Sequence, residues 1–163
     1  MQSTDGEVAI DLLLNSKILE FNKWRMKNLT VIPDISGKDF SHMNLSGAYL
    51  NGALSMKANF SYSNLSNINF VQAKLNECNF EGANMTGALM MYAEMSGCKL
   101  LNANMTETNF MFANLQGSNL SGSKALKTIF VGSNMQDTVL YNIDRAQTFL
   151  KNAKLGGSSW EKG

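Results

Sequence analysis

The chain has 163 residues, 44% of them hydrophobic and 17% charged, with a net charge of +1. That is one domain's worth of sequence, and its bulk electrostatics favours neither nucleic acid nor an acidic role. No apolar run approaches the length of a membrane span, and Leu12–Leu14 is too short, and lacks the basic start, for a signal peptide.

Residues 1–5 read as a frayed end, with Thr4 as N-cap and Glu7 three residues on forming a capping box. From Glu7 to about Asn28 the pattern is helical. Ile10, Leu13, Leu14, Ile18, Phe21 and Trp24 recur at three- and four-residue steps and make one apolar face, while Asp11, Asn15, Lys23 and Lys27 lie elsewhere. Asn28–Asp34, containing Pro33, ends the helix and turns the chain into a region of different periodicity. The expected divisions are a helix and linker over 1–34, a repeat region over 35–160 and a tail over 161–163.

The repeat has a period of five that never slips. Its centres fall on every multiple of five from Ile35 to Trp160, 26 positions, and all but Ser55, Ala125 and Arg145 carry Leu, Ile, Met, Phe or Trp. Neither a helix nor a strand has that period, so the pattern marks a repeat architecture. Two residues before each centre, from Ala48 to Ser158, lie ten Ala, five Ser, four Thr, two Cys and two Ile. A small uncharged column beside a large apolar one implies that both point inward. Asn is common just before the centre, where it stands in for charge as a source of solubility. Ten of the 13 glycines sit two residues after a centre, which implies a turn closing there.

ANFSY, ANMTG, ANMTE and ANLQG resemble the A-(D/N)-L-x-x consensus of the pentapeptide-repeat family, and the FNKWR and PDISGKDFSHMNLSG segments resemble the lead-in of many bacterial members. The resemblance covers residues 35–160. It implies an all-β fold, a right-handed quadrilateral parallel β-helix with four pentapeptides to a coil, preceded by an N-terminal α-helical cap. Residues 20 apart would stack at the inter-strand distance of about 4.8 Å, so roughly six coils make a rod on the order of 30 Å long.

On that stacking Cys78 and Cys98 are neighbours on adjacent coils, read as two buried thiols in a reducing compartment; their α-carbons could also fall in disulfide range. A metal pair is not expected, since two Cys without nearby His make a poor site. Ala125 lies beneath Arg145 in one stack, and a guanidinium cannot sit unpaired in an apolar core. That corner is expected to deviate, letting Arg145 reach solvent or an acid such as Asp144. At Ser55, either Leu54 turns inward instead or the coil is irregular. Trp160 is expected to help close the C-terminal end.

No nucleophile–base pair, phosphate loop or metal motif appears, and the single His, His42, has no obvious partner. A filled rod also lacks a concave pocket. The expectation is a non-catalytic protein without cofactor, metal or small-molecule substrate. The resemblance brings two alternatives: a DNA mimic protecting type II topoisomerases, and a secreted bacterial effector. Mimicry needs rows of carboxylates. Here residues 45–160 carry six acids, Glu77, Glu81, Glu94, Glu107, Asp137 and Asp144, against eight bases. The bases are scattered without alternating aromatics, so nucleic-acid binding is not expected either.

One side of the rod is unusually apolar: Val71, Leu89, Met91, Tyr92, Met111, Phe112, Ile129, Val131 and Phe149. A contiguous patch of Met and aromatic residues suggests an interface. Its occupant is the N-terminal helix, a second copy, or a foreign protein. A 22-residue helix would be about 33 Å long and could lie along the rod. Alternatively Ile10, Leu14, Ile18, Phe21 and Trp24 cap the N-terminal coil end, as Trp160 does the other. The expected setting is cytoplasmic.

Overall fold

The computed structural model describes residues 5–160. Asp5–Leu14 forms α1 and Ile18–Lys27 forms α2. The single long helix of the sequence pattern is therefore wrong, and the reason is local. Ser16 adopts φ +52°, its N–H returns to Leu13 O at 2.9 Å, and Lys17 N–H returns to Leu12 O at 2.9 Å. Those two bonds are a Schellman ending, here with Ser in the left-handed position that glycine usually takes. Each ten-residue helix is about 15 Å long, too short to cover the rod. The proposed Thr4 cap lies outside the described residues, as does the tail 161–163.

From Asp34 onward the chain winds in coils of 20 residues. Bridges run between residues just before the centres on four sides, represented by Asp34↔Leu54, Asp39↔Asn59, Asn44↔Asn64 and Tyr49↔Asn69, all parallel. On each side the centre N–H donates one coil ahead, as Leu45 N–H does to Asn64 O at 2.9 Å, and the preceding N–H donates one coil back, as Asn64 N–H does to Met43 O at 2.9 Å. Each side is a single bridge wide, except where β1 (Thr128–Ile129) pairs with β2 (Thr148–Phe149).

Between sides, the centre carbonyl accepts from the residue three on, as Leu45 O does from Ala48 N–H. The third residue of each turn has positive φ at every such position from Gly37 to Gly157 except Gln147, the signature of a type II turn. Glycine is not obligatory there, since Tyr62, Tyr92 and Phe112 also adopt the conformation. Where glycine is needed, the neighbour explains it. A Cβ on Gly132 would lie 2.5 Å from the Phe112 ring, and one on Gly82 would lie 2.5 Å from the Tyr62 ring.

The inward columns are as expected. Every centre from Ile35 to Leu140 is buried, with the small residues between them. Phe40, Phe60 and Phe80 stack at 5.5 and 5.2 Å, and Phe110 stacks on Phe130 at 5.3 Å. Cys78 and Cys98 are buried free thiols, donating to Ser55 O and Leu75 O at 2.8 and 3.0 Å. Burial pushes the Cys78 thiol up to about 12 and Cys98 higher still.

Three positions add to or depart from what the sequence implied. Asn before the centre does more than solubilise: its Oδ1 accepts the N–H two residues on, as in Asn64 to Ser66, Asn84 to Thr86 and Asn109 to Met111. No backbone carbonyl accepts that amide, so the side chain supplies the acceptor that the ladder does not. Second, Ser55 itself stays inward and fully buried with its hydroxyl unpartnered, and Leu54 remains outside. The bridges of Leu54 to Asp34 and Lys74 hold the register. Third, the corner at Arg145 deviates as expected: the side chain leaves the core and is exposed to solvent, and Asp144 is engaged elsewhere. The coil closes there in a 3-10 turn, Arg145–Gln147, capped by Asp144, whose side chain accepts from Ala146 N–H. The guanidinium lies 5.4 Å over the Trp160 ring. The bridge from Lys124 that would continue the column is lost, leaving a notch of about 270 Å³ among Ser123, Ala125, Asn142 and Gln147.

Candidate interaction face

On the side built from Leu50, Phe70, Met90, Phe110, Phe130 and Leu150, the residues flanking each inward centre face outward by strand alternation. The bridge series Tyr49↔Asn69↔Leu89↔Asn109↔Ile129, continued by β1–β2 to Phe149, makes one outer column. Asn51, Val71, Met91, Met111, Val131 and Lys151 make the second, and Gln72, Tyr92, Phe112 and Gly132 form the adjoining corner. The nine apolar residues singled out from the sequence therefore fall on one strip. Val71, Met91, Met111, Ile129 and Val131 are half-buried by their neighbours, while Leu89, Tyr92, Phe112 and Phe149 are 38%, 55%, 49% and 54% exposed. Tyr92 stacks on Phe112 at 5.2 Å, a pair legible only once side chains 20 residues apart are known to lean along the rod axis. A shallow groove of about 540 Å³ opens at one end, between Ile129, Val131, Phe149 and Lys151.

The strip carries no charge between Asn69 and Gly132. Charges lie elsewhere: Lys74 and Glu94 on the adjoining side, with Lys57–Glu77 at 3.6 Å and Lys127–Glu107 at 3.3 Å as exposed pairs on corners. Such pairs add little stability. A second exposed stack, His42 on Tyr62 at 5.3 Å, occupies another corner and was missed in the sequence; its signal was again the spacing of 20. Among the described residues no group of His, Cys, Asp or Glu could hold a metal ion.

α2 meets the two columns at their first-coil end, at Tyr49 and Asn51, short of the nine apolar residues. Asn22 of α2 donates to Gly47 O at 2.9 Å and accepts from Tyr49 N–H at 2.9 Å. Arg25, almost fully buried, donates to Asn28 O, Leu29 O and Val31 O and, through Nη2, to Asn51 O at 3.2 Å. Tyr49 N–H and Asn51 O lie along the first coil, where no earlier coil exists to pair with them, and Asn28 O, Leu29 O and Val31 O belong to the linker that leads into it. Phe21 is fully buried, Ile10, Ile18 and Trp24 pack against the core, and Trp24 stacks on Phe21 at 6.0 Å. Leu14 is instead exposed: α1 ends on it, and Ala9 and Leu13 take the buried positions. Trp160 is half-buried beneath Arg145.

A family model for pentapeptide repeats matches residues 56–91 and 90–124. A pentapeptide repeat protein of the Arabidopsis thaliana thylakoid lumen is 33% identical, over 68% of this chain and 67% of that one, with a TM-score of 0.44. HetL of the cyanobacterium Nostoc, involved in regulating heterocyst differentiation, is 17% identical over 79% and 77%, TM-score 0.38. QnrB1, a plasmid-mediated fluoroquinolone resistance protein, is 17% identical over 80% and 91%, TM-score 0.41. No curated protein matches the chain. With four bridged sides, coils of 20 residues and inward Leu, Met and Phe behind Ala and Asn, this chain belongs to the pentapeptide-repeat family, whose fold is the right-handed quadrilateral β-helix.

Proposed function

We propose that the protein is a non-catalytic scaffold that binds protein through the Val71–Phe149 strip, and that α1 and α2 cap the first coil. The observation that carries the reading is an uncharged apolar strip left exposed on a rod whose interior is filled. Exposed apolar surface costs free energy in water, and burial against a partner recovers about 25 cal/mol per Å². The cap reading is supported by Asn22 and Arg25, which occupy hydrogen-bonding groups of the open coil end. An unprotected end would template aggregation. A reducing, cytoplasmic setting suits two unpaired thiols.

Duplex mimicry has little support. Glu77 and Glu107 are partnered by Lys57 and Lys127, Glu81 accepts from Tyr62, and Asp144 caps a turn, so no row of free carboxylates forms.

A photo-crosslinking residue placed at Met91, with the same residue at Gln116 on the polar side as control, tests the reading in cells. Adducts to protein at Met91 and none at Gln116 are expected. Equal yields at both positions, or none at Met91, would overturn it. A gyrase supercoiling assay is expected to show no effect, and inhibition would favour mimicry instead.

A further inference from the structure

We propose that the strip pairs with the same strip of a second copy of this chain, the two rods lying antiparallel and face to face. This rests on the docking reading above and names its partner.

The order of side chains carries the inference. The column beyond the centres reads Val71, Met91, Met111, Val131, the same in either direction. A two-fold axis lying in the interface and crossing the rod at right angles keeps each column facing itself while reversing its order. It therefore sets Val71 against Val131 and Met91 against Met111, twice each, as an isologous interface requires. At the adjoining corner Tyr92 then meets Phe112, while Gln72 meets Gly132. Like-sized side chains oppose one another at every level of the Val71–Val131 column, and unbranched Met can adjust to close the gaps.

Pitch and charge agree with the pairing. Two copies share one coil spacing, so a contact that fits at one level fits at the next. The strip has no charged residue between Asn69 and Gly132, so reversal brings no like charges together. In the other column Asn69 faces Ile129 and Asn109 faces Leu89. Their Oδ1 atoms already accept from Val71 and Met111 N–H at 3.0 Å each, so their acceptors stay paired, and their Nδ2 donors keep to water at the margin of so narrow a patch. The patch is small: Val71 to Val131 spans three coil steps, about 14 Å. That falls short of the ~800 Å² per partner of a standard interface, so the dimer is reversible and concentration-dependent.

Disulfide trapping reads the register. Val71→Cys and Val131→Cys chains are mixed under mild oxidation, after circular dichroism has confirmed that each folds. Gln116→Cys, on the polar side, serves as control. The native thiols are buried and do not compete. The mixed sample is expected to give a covalent dimer. Val71→Cys alone is not, because its two copies would stand about 14 Å apart, beyond the ~7 Å between α-carbons that a disulfide spans. Sedimentation of the wild type is expected to show a dimer at high concentration, lost in Met91→Lys. A wild type that stays monomeric throughout, a mixed sample that does not link, or Val71→Cys linking to itself as readily, would each overturn the pairing. Any of these would leave the docking reading standing on the Met91 photo-adducts, if those join the chain to other proteins.

Discussion

Arg145→Leu tests the account of the one broken column. Leu at this centre can turn inward above Ala125, continuing the stack of Met85 and Met105. Burying it contributes about 2 kcal/mol. Restoring the two ladder bonds across the lost bridge, Ala125 N–H to residue 144 and residue 144 N–H to Ser123 O, contributes about 1 kcal/mol each. Against this stand the contact of the guanidinium with Trp160, about 0.5–1 kcal/mol, the capping of the 3-10 turn by Asp144, about 1 kcal/mol, and a residual gap beside the small Ala125, about 1 kcal/mol. The net is a gain on the order of 1 kcal/mol, enlarged by adding Ala125→Leu. Urea denaturation measures the gain. Hydrogen exchange supplies the specific readout, because the Ala125 amide, which has no backbone partner in the wild type, becomes protected. A variant that is less stable and leaves the Ala125 amide as fast to exchange as before would refute the reasoning that Arg145 opens the column.

Ser55→Ala removes a buried hydroxyl that has no partner and should raise stability by about 1 kcal/mol in the same denaturation assay; a loss would mean that the hydroxyl is satisfied. Arg25→Leu strips Leu29 O, Val31 O and Asn51 O of their donor and should cost about 2–3 kcal/mol, with faster exchange of first-coil amides; unchanged exchange there would contradict the cap. The Cys78 thiol, raised from 9.0 to about 12 in the folded chain, holds its proton more tightly than in the unfolded chain. Its contribution is therefore fully present below pH 9 and is lost as pH rises from about 9 toward 12. The denaturation midpoint should be flat near neutrality and fall above pH 9, and thiol alkylation should require unfolding. Rapid alkylation of the native protein at neutral pH would count against burial as the cause.

The period of five placed the core, and the family resemblance, which implies four pentapeptides to a coil, placed the four sides and the strip. A coil couples each residue mainly to those 20 before and 20 after it, so a linear pattern of constant phase carries the tertiary contacts with it. Phe40, Phe60 and Phe80 stack because they stand at that spacing, and Val71, Met91 and Met111 share a column for the same reason. What has no period was not legible. Ser16 ends α1 in a conformation that Gly would have announced. Leu14 reads as part of an apolar face and points to water. Arg25 and Asn22 read as ordinary polar helix residues until the unpaired edge of the first coil is in view. Asn before a centre looked like solubility and proved to be the acceptor for an amide that no ladder carbonyl takes. Local alternation and repetition thus determined the rod, whereas its ends and defects were decided by tertiary structure. There a backbone group or a charge must find a partner that no neighbouring repeat supplies.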